Sequence, residues 1–483
     1  MSYRPTIGLE IHAELKTRTK MFCDSANDPD ETRPNTNVCP ICLAHPGTLP
    51  VINKEAVRHI LRIGTAVGGT LAGCTEFDRK NYFYPDIPKG YQISQYEHPL
   101  VVGGTLAGVA ITRVHLEEDT ARSIHVAGEA GDPERSERTE GKSLVDFNRA
   151  GIPLMELVTE PVIEDAQTVG RFARELQLLL RTLNAGEANM EKGEMRIEAN
   201  VSVCKQPTTN NQQPTLGTKV EVKNLNSFRS VERAIAYEIE RQTKLLESGG
   251  EVVQETRGWD EAKQVTFHQR FKEGSADYRY FPEPDLPKLF PSEIPEFAEK
   301  AIRASLPELP WERRARYQKT LEIKVADSSI VTENFEGAVF FDKVVPELAR
   351  PGQAKIAVNF LISDLANEPG SISPASFAKL VRMFAEDMLS SRGAKDVLAI
   401  MKAEGGDPEQ IANKRGLMQV HDAGMLRSAV KGMLAEEKKA VEEYRAGKET
   451  ALRYLLGKSM EATKGAGNPA MLKDIIVEEI KKE

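Results

Sequence analysis

The first residues able to do chemistry are Glu10, His12 and Glu14, in the string Gly8-Leu9-Glu10-Ile11-His12-Ala13-Glu14-Leu15. On a strand, alternate side chains share a face, so Ile7, Leu9, Ile11, Ala13 and Leu15 point one way and the three polar residues the other. Two carboxylates flanking an imidazole are a donor set for a divalent metal, because oxygen ligands suit Mg²⁺ and a neutral imidazole can join them. The spacing alone favours a plainer reading, the solvated polar face of an edge strand. The next string, His115-Leu116-Glu117-Glu118-Asp119, sets three carboxylates in a row, which raise one another's pKa unless a cation compensates. Alternation puts His115, Glu117 and Asp119 on one side and Glu118 on the other, although a charged turn fits the same residues. Glu156 stands alone among Ile152, Leu154, Met155, Leu157 and Val158. A carboxylate in so apolar a strand is costly unless paired or bound to metal. A structural ion pair with Arg149 accounts for it equally well.

Further strings supply basic and aromatic groups. If Met195–Cys204 is a strand, Arg196, Glu198, Asn200 and Ser202 share a face; in Lys219–Asn224, Glu221 and Lys223 do. Such faces could clamp phosphates and Mg²⁺, as phosphoryl transfer needs, or simply carry cross-strand salt bridges. The segment Asp78–Tyr96 sets Tyr82, Phe83, Tyr84, Tyr91 and Tyr96 among polar residues, so rings could stack on a base while Lys80 or Lys89 reaches a phosphate. Cys39-Pro40-Ile41-Cys42, with Cys23 upstream, provides three thiols, one short of a Cys₄ zinc site; Asp24 or His45 could be the fourth ligand. There is no G-x-x-x-x-G-K-[ST] loop and no G-x-S-x-G elbow, so any use of ATP proceeds without a Walker motif.

These residues need elements to hold them. Strand-like alternation recurs at Ile7–Leu15, Ala110–Leu116, Met195–Val203 and Lys219–Val222. Asp165 is placed to cap a helix whose apolar stripe is Val169, Phe172, Ala173, Leu176, Leu179, Leu180 and Leu183, stopped at Gly186. A second helix is predicted over 230–246, with Gly249-Gly250 as its stop. Strands with two intervening helices predict an α+β layer. Pro282, Pro284 and Pro287 exclude helix and central strand around Arg279–Pro287, after which the pattern is helical. The chain has 483 residues, 64 Lys+Arg against 72 Asp+Glu, 40% apolar and 28% charged residues. That length predicts roughly three domains and that composition a globular core. No apolar run is long enough for a bilayer, and the N-terminus lacks the apolar stretch of a signal peptide. Five cysteines are too few for a disulfide scaffold, so a cytoplasmic location is expected. A net charge of −8 argues against non-specific nucleic-acid binding, leaving local basic patches or shape recognition for any such role.

Six strings together carry a resemblance. They are Gly8–His12, Phe77–Asp86, Tyr91–Gln95, Arg149–Glu156, Lys223–Phe228 and 277–285. With them the chain resembles, over essentially its whole length, the B subunits of the glutamine-dependent aspartyl/glutamyl-tRNA amidotransferases. The resemblance implies a cradle-like mixed α/β catalytic domain (1–291), an all-α helical domain (292–407) and an all-α YqeY-like tail domain (408–483). It implies a heterotrimer, whose other members are an amidase-signature glutaminase (the A chain) and a small third chain (C). It also implies an ATP- and Mg²⁺-dependent ligase that phosphorylates the side-chain carboxylate of Asp-tRNA(Asn), Glu-tRNA(Gln) or both. Ammonia from glutamine then displaces phosphate. A non-catalytic tRNA-binding scaffold is the alternative. By this resemblance Glu10, His12, Glu118 and Glu156 are the metal ligands and catalytic residues. Choosing Glu118 over Glu117 requires a bulge or turn to reset the alternation. Lys80, Arg149, Arg196 and Lys223 are then the groups that clamp ATP phosphates or the substrate carboxylate, and Lys458 and Lys464 in the tail contact tRNA. The sequence departs from the family pattern at two points: Ser25 stands where some members have a fourth thiol, and Glu198 where an aspartate is usual.

Overall fold

The computed structural model describes residues 3–126, 142–205, 216–271, 278–350, 352–419, 423–463 and 467–482. Two compact units, Met1–Pro310 and Trp311–Glu483, make up the chain. In the first, the principal strands are β1 (Tyr3–Glu14), β2 (Asp78–Asn81), β3 (Tyr91–Ser94), β4 (Val109–Glu118), β5 (Pro153–Thr159), β6 (Met195–Lys205), β7 (Val220–Leu225), β8 (Glu255–Asp260) and β9 (Val265–Phe271). Its longer helices are α1 (Lys54–Ala66), α2 (Ala166–Thr182) and α3 (Phe228–Glu247). One ten-stranded sheet runs β9-β8-β7-β6-β1-β5-β4 and is completed by the short strands Val101–Val102, Thr70–Leu71 and Thr105–Leu106. β7 and β8 are parallel, and β1 is antiparallel to both its neighbours. β2, β3 and the two residues Phe281–Pro282 form a second, three-stranded sheet.

β1 is therefore an interior strand, paired along both edges, and not the solvated edge strand its spacing alone favoured. Its apolar face explains why: Ile7, Leu9, Ile11 and Ala13 are all at most 1% exposed. Burying each large aliphatic side chain contributes about 1.5–3 kcal/mol, which a half-open edge position would forfeit. Both helices read from the pattern form. Asp165 caps α2 by accepting the Thr168 N–H at 2.7 Å, and Val169, Phe172, Ala173, Leu176 and Leu179 are fully buried. α3 begins at Phe228, because Ser227 Oγ accepts the Ser230 N–H at 3.1 Å and starts the helix there. α3 packs on β6 and β7, and α2 packs on α3.

The helical text after Pro287 divides differently from the expected boundary at 292. The short helix Glu299–Ala304 lies in the first unit against α1, and Glu296 pairs with Arg58 at 2.5 Å and with Lys54. The described part of the second unit is helical and holds two separate apolar clusters. One runs from Tyr317 to Ala412 around Phe341, Phe377 and Leu398; the other runs from Leu426 to Ile480. Ala412 lies on the helix Pro408–Arg415, so the break between clusters falls after that helix and not at 407. Mixed sheet followed by helices makes the chain an α+β protein. No helix among the described residues is long and apolar enough to cross a membrane.

Candidate active site

Strand register assembles the site. His12 on β1 lies opposite Glu156 on β5, which lies opposite His115 on β4, so three polar residues form a row across three adjacent strands. Further along, Glu14, Leu154 and Glu117 form another row, and across β6 Glu10 faces Glu198 and His12 faces Arg196. His12 Nε2 lies 3.3 Å from Glu156, 3.8 Å from Glu117 and 4.0 Å from Glu10. His115 Nε2 lies 3.4 Å from Glu156 and 3.6 Å from Glu117. Two candidate metal triads result, Glu10–His12–Glu156 and His115–Glu117–Glu156, sharing Glu156. They open on a cavity of about 470 Å³, also lined by Lys80, Arg113, Arg196, Glu198 and Lys223. Tyr82, Tyr96, Tyr278 and Tyr280 form its aromatic wall, where Tyr96 and Tyr280 stack at 4.4 Å.

Electrostatics follow from packing acids this densely. Burial opposes the Glu156 carboxylate, but the charges and hydrogen bonds of His115 and His12 outweigh it and hold the group well below the usual carboxylate range. Burial likewise opposes the His12 imidazolium, yet the Glu156 hydrogen bond and charge, with Glu117 and Glu10, push it up to about 9. Glu10 is pushed up by burial and then by Glu156. Glu10, His12 and Glu156 bring two carboxylate oxygens and an imidazole nitrogen within 4.8 Å of one another, a donor set of the kind a hard divalent cation takes. On that ground the donor set fits Mg²⁺. Burial opposes the Lys80 ammonium, but Glu117, at 3.8 Å, together with Tyr280, Glu156 and Tyr82 outweighs it and holds Lys80 above its ordinary value. Lys223 is held between Glu198 at 2.7 Å and Glu221 at 3.8 Å.

Two expected roles change. Glu118 does not join the acids. The one register shift between β4 and β5 lies at Val158/Thr159, at the far end, so plain alternation persists through Glu118 and turns it to the other face. There Glu118 pairs with Lys89, accepts the Ile93 N–H at 2.9 Å and lines a separate cavity. Glu117 occupies the place expected of Glu118, fixed by Gln92 Nε2 at 2.9 Å and by the Ser94 hydroxyl. Arg149 does not line the main cavity. Its guanidinium holds Asp119 at 2.6 Å and Glu14 at 2.5 Å and donates to Gly193 O at 3.3 Å, so its charge is answered by two acids and serves to orient them. Asp119 also accepts from Arg196 at 2.7 Å; burial opposes its charge, but Arg196 and Arg149 bring it down to about 2. Alternation alone marks Asp119 and Glu117. Nothing local in the sequence marks Arg113, 3.3 Å from Glu156, or shows that Gln92 and Ser94 face Glu117. In the second unit Lys458 pairs with Glu461 at 3.0 Å, while Lys464 lies outside the described residues.

The thiols form a second cluster. Cys23, Cys39 and Cys42 place their sulfurs within 4.8 Å of one another, but no fourth Cys, His, Asp or Glu among the described residues joins them. Ser25 Oγ and Lys20 Nζ each lie 3.9 Å from Cys42 Sγ instead. The group offers three of the four corners of a structural zinc site.

Known proteins resemble the chain along its length. Residues 5–294 match the GatB/GatE catalytic domain, and residues 340–480 match the GatB domain of the YqeY type. The chain is 42% identical to the B subunit of the aspartyl/glutamyl-tRNA(Asn/Gln) amidotransferase of Thermoanaerobacter pseudethanolicus, covering all of both chains. It is 43% identical to that of Thermus thermophilus over 99% of each chain, and 40% identical to that of Synechocystis over 98% of this chain and 97% of the relative. With the catalytic-domain match over residues 5–294 and full-length relatives above 40% identity, the chain belongs to the family of aspartyl/glutamyl-tRNA(Asn/Gln) amidotransferase B subunits.

Proposed function

We propose that this chain performs the ATP-dependent half of a tRNA-dependent transamidation. The observation that carries the reading is the His12–Glu156–His115 row, flanked by Glu10 and Glu117 and facing Lys80, Arg196 and Lys223 across one cavity. A side-chain carboxylate resists ammonia because oxide would have to leave. In the first step an oxygen of that carboxylate attacks the γ-phosphorus of ATP; an O–P bond forms, the bond to the bridging oxygen breaks, and ADP departs. In the second, ammonia attacks the acyl carbon of the acyl phosphate; a C–N bond forms, the C–O bond breaks, and phosphate leaves carrying the proton. Both steps bring anions together, so cationic side chains are needed on either side of the reacting atoms. Lys80 stands on the Glu117 side of the cavity, and Arg196 and Lys223 on the Glu198 side. Held by Glu10, His12, Glu117 and Glu156, Mg²⁺ would neutralise developing phosphoryl charge.

The substrates under this reading are misacylated tRNA(Asn) or tRNA(Gln), whose aminoacylated end passes the tyrosine wall. A glutaminase partner supplies ammonia, and a small third chain completes the complex. The two helical clusters of the second unit suit a tRNA-holding role. The test is Glu156→Gln in the assembled complex. ATP cleavage that depends on misacylated tRNA should vanish while tRNA binding persists. Undiminished cleavage would reduce the chain to a scaffold.

A further inference from the structure

Tyr82 lines the acidic cavity beside Tyr96, Tyr278 and Tyr280, and it differs from them in one respect. Among the described residues, its hydroxyl is the one ring hydroxyl of the four with a hydrogen-bond partner, Gln92 Oε1 at 3.2 Å. The ring is held edge-on to Tyr84 and Tyr278, with centroids 6.3 and 5.9 Å away, and the Tyr82 N–H donates to Gly90 O at 3.2 Å. A phenolic hydroxyl can donate or accept. Which it does here is fixed by the far end of the glutamine. Gln92 is 5% exposed, and its Nε2 faces two acceptors, Glu118 O at 2.7 Å and Glu117 Oε2 at 2.9 Å. A backbone carbonyl can only accept, so the NH₂ end of the amide must point at Glu118 O whatever the proton content of Glu117. The amide oxygen then faces Tyr82, and it too can only accept. Tyr82 therefore gives its single proton to Gln92, and lone pairs are all that its oxygen can offer the cavity. No donor among the described residues takes them.

We infer, resting on the reading above that the chain activates misacylated tRNA with ATP, that Tyr82 recognises the α-amino group of the aminoacyl ester by accepting a hydrogen bond from its nitrogen. Two groups that can only accept make no hydrogen bond, so Tyr82 does not bind an ionised carboxylate or a phosphate oxygen; those anions are left to Lys80, Arg196 and Lys223. The partner of Tyr82 must carry N–H or O–H. Only the Gln92 amide separates Tyr82 from Glu117, so the donor that it meets lies within a few bonds of the reacting carboxylate. Along an aspartyl or glutamyl ester the first such donor is the α-amino nitrogen. The ribose hydroxyl and the amine of the base lie beyond the ester bond. That nitrogen carries N–H with or without its third proton, so the contact does not depend on its charge. A tyrosine held this way distinguishes an aminoacyl end from an acyl chain with the same carboxylate and no amine. The α-amino group takes no part in phosphoryl transfer, so the contact acts on binding and not on the breaking bond.

The test compares the unmodified chain with Tyr82→Phe in the assembled complex, reading KM for tRNA from ATP cleavage. Each is given tRNA esterified with the amino acid that the complex accepts, aspartate or glutamate, or with succinate or glutarate, the matching chain without the amine. On aminoacyl-tRNA, Tyr82→Phe should raise KM about tenfold or more with kcat within about twofold. On the amine-free ester the unmodified chain should already show that rise, and Tyr82→Phe should add less than about twofold. A rise of equal size on both esters overturns the inference, because Tyr82 would then serve only the shape of the cavity; so does no rise on either. A raised KM for ammonium chloride, supplied in place of glutamine, with KM for aminoacyl-tRNA unchanged also overturns it and makes ammonia the donor. All of these outcomes leave the parent reading standing. An unmodified complex that cleaves no ATP with aminoacyl-tRNA sinks that reading and the role of Tyr82 together.

Discussion

Two charged clusters lie side by side on the sheet of the first unit, and they balance charge in opposite ways. Around Asp119 each acid meets a guanidinium: Arg149 bridges Asp119 and Glu14, and Arg196 closes on the other Asp119 oxygen. Around Glu156 three acids share two imidazoles and the flanking Arg113 and Lys80, and Glu10 is left pushed towards its neutral form. In the first cluster Arg149, held by two acids, serves as a frame, while Arg196 is steadied by Asp119 at the cavity wall. The second converges carboxylate oxygens and imidazole nitrogens within 4.8 Å of one another on an open cavity, and that convergence is what suits it to a divalent ion and phosphorylated substrates. The contrast teaches that counting charged residues does not find a site; donor atoms converging on an open cavity do.

If that contrast holds, changes in the two clusters should separate chemistry from stability. Glu156→Gln should lower misacylated-tRNA-dependent ATP cleavage by on the order of 10²–10³-fold while the folded protein still binds tRNA. A parallel collapse of stability would show that Glu156 belongs to the frame. Asp119→Asn should cost more in urea unfolding, about 1–3 kcal/mol, because Arg196 loses its partner while Arg149 keeps only Glu14. Its pH signature follows from the depressed carboxyl. The stabilisation is present above the ordinary value of 3.8 and drains away as pH falls towards 2, so unfolding curves taken across that range should lose this acid limb in Asp119→Asn.

Finer changes sharpen the comparison. Glu117→Gln should weaken Mg²⁺ binding about tenfold or more by calorimetry, while Glu118→Gln leaves it within about twofold. Equal losses would mean that the alternation of β4 does not persist to Glu118 in the loaded protein. Lys223→Met should raise KM for ATP about tenfold with a smaller change in kcat, as expected for a group that binds phosphate and touches no breaking bond. At the bottom of the scale, Lys458→Ala should change tRNA affinity by less than about twofold, since its charge is already paired with Glu461 on an exposed helix face.

Much of the site is legible in local pattern. Period-two alternation places Glu10 and His12 on one face of β1, and His115, Glu117 and Asp119 on one side of β4, and the strands obey it. The family resemblance favours Glu118 and so needs a bulge beside it, but the irregularity lies near Thr159 instead. The cap Asp165 sits where a short polar side chain at a helix start has few other roles, while the start of α3, set by Ser227, lies two residues earlier than the apolar stripe suggests. The expected role of Arg149 fails for a different reason. Its sequence neighbours do not disclose that Asp119 and Glu14, 30 and 135 positions away, take up its charge. Gly151 shows the same limit from the backbone side: its φ of +84° lets the turn after Arg149 reverse sharply into β5, a demand that only the folded path creates.

By itself the sequence determined which side chains share a face, where helices start and which residues are acids, bases and thiols, because those properties repeat over two to four residues and need no partner. Tertiary structure decided which strands lie side by side, and with that which acids crowd, which guanidiniums answer them and which are left for a cation. Charge pairing is strongest at separations of a few ångströms, so a shift of one strand by one place would have turned every one of its groups to the opposite face and out of reach of its partners.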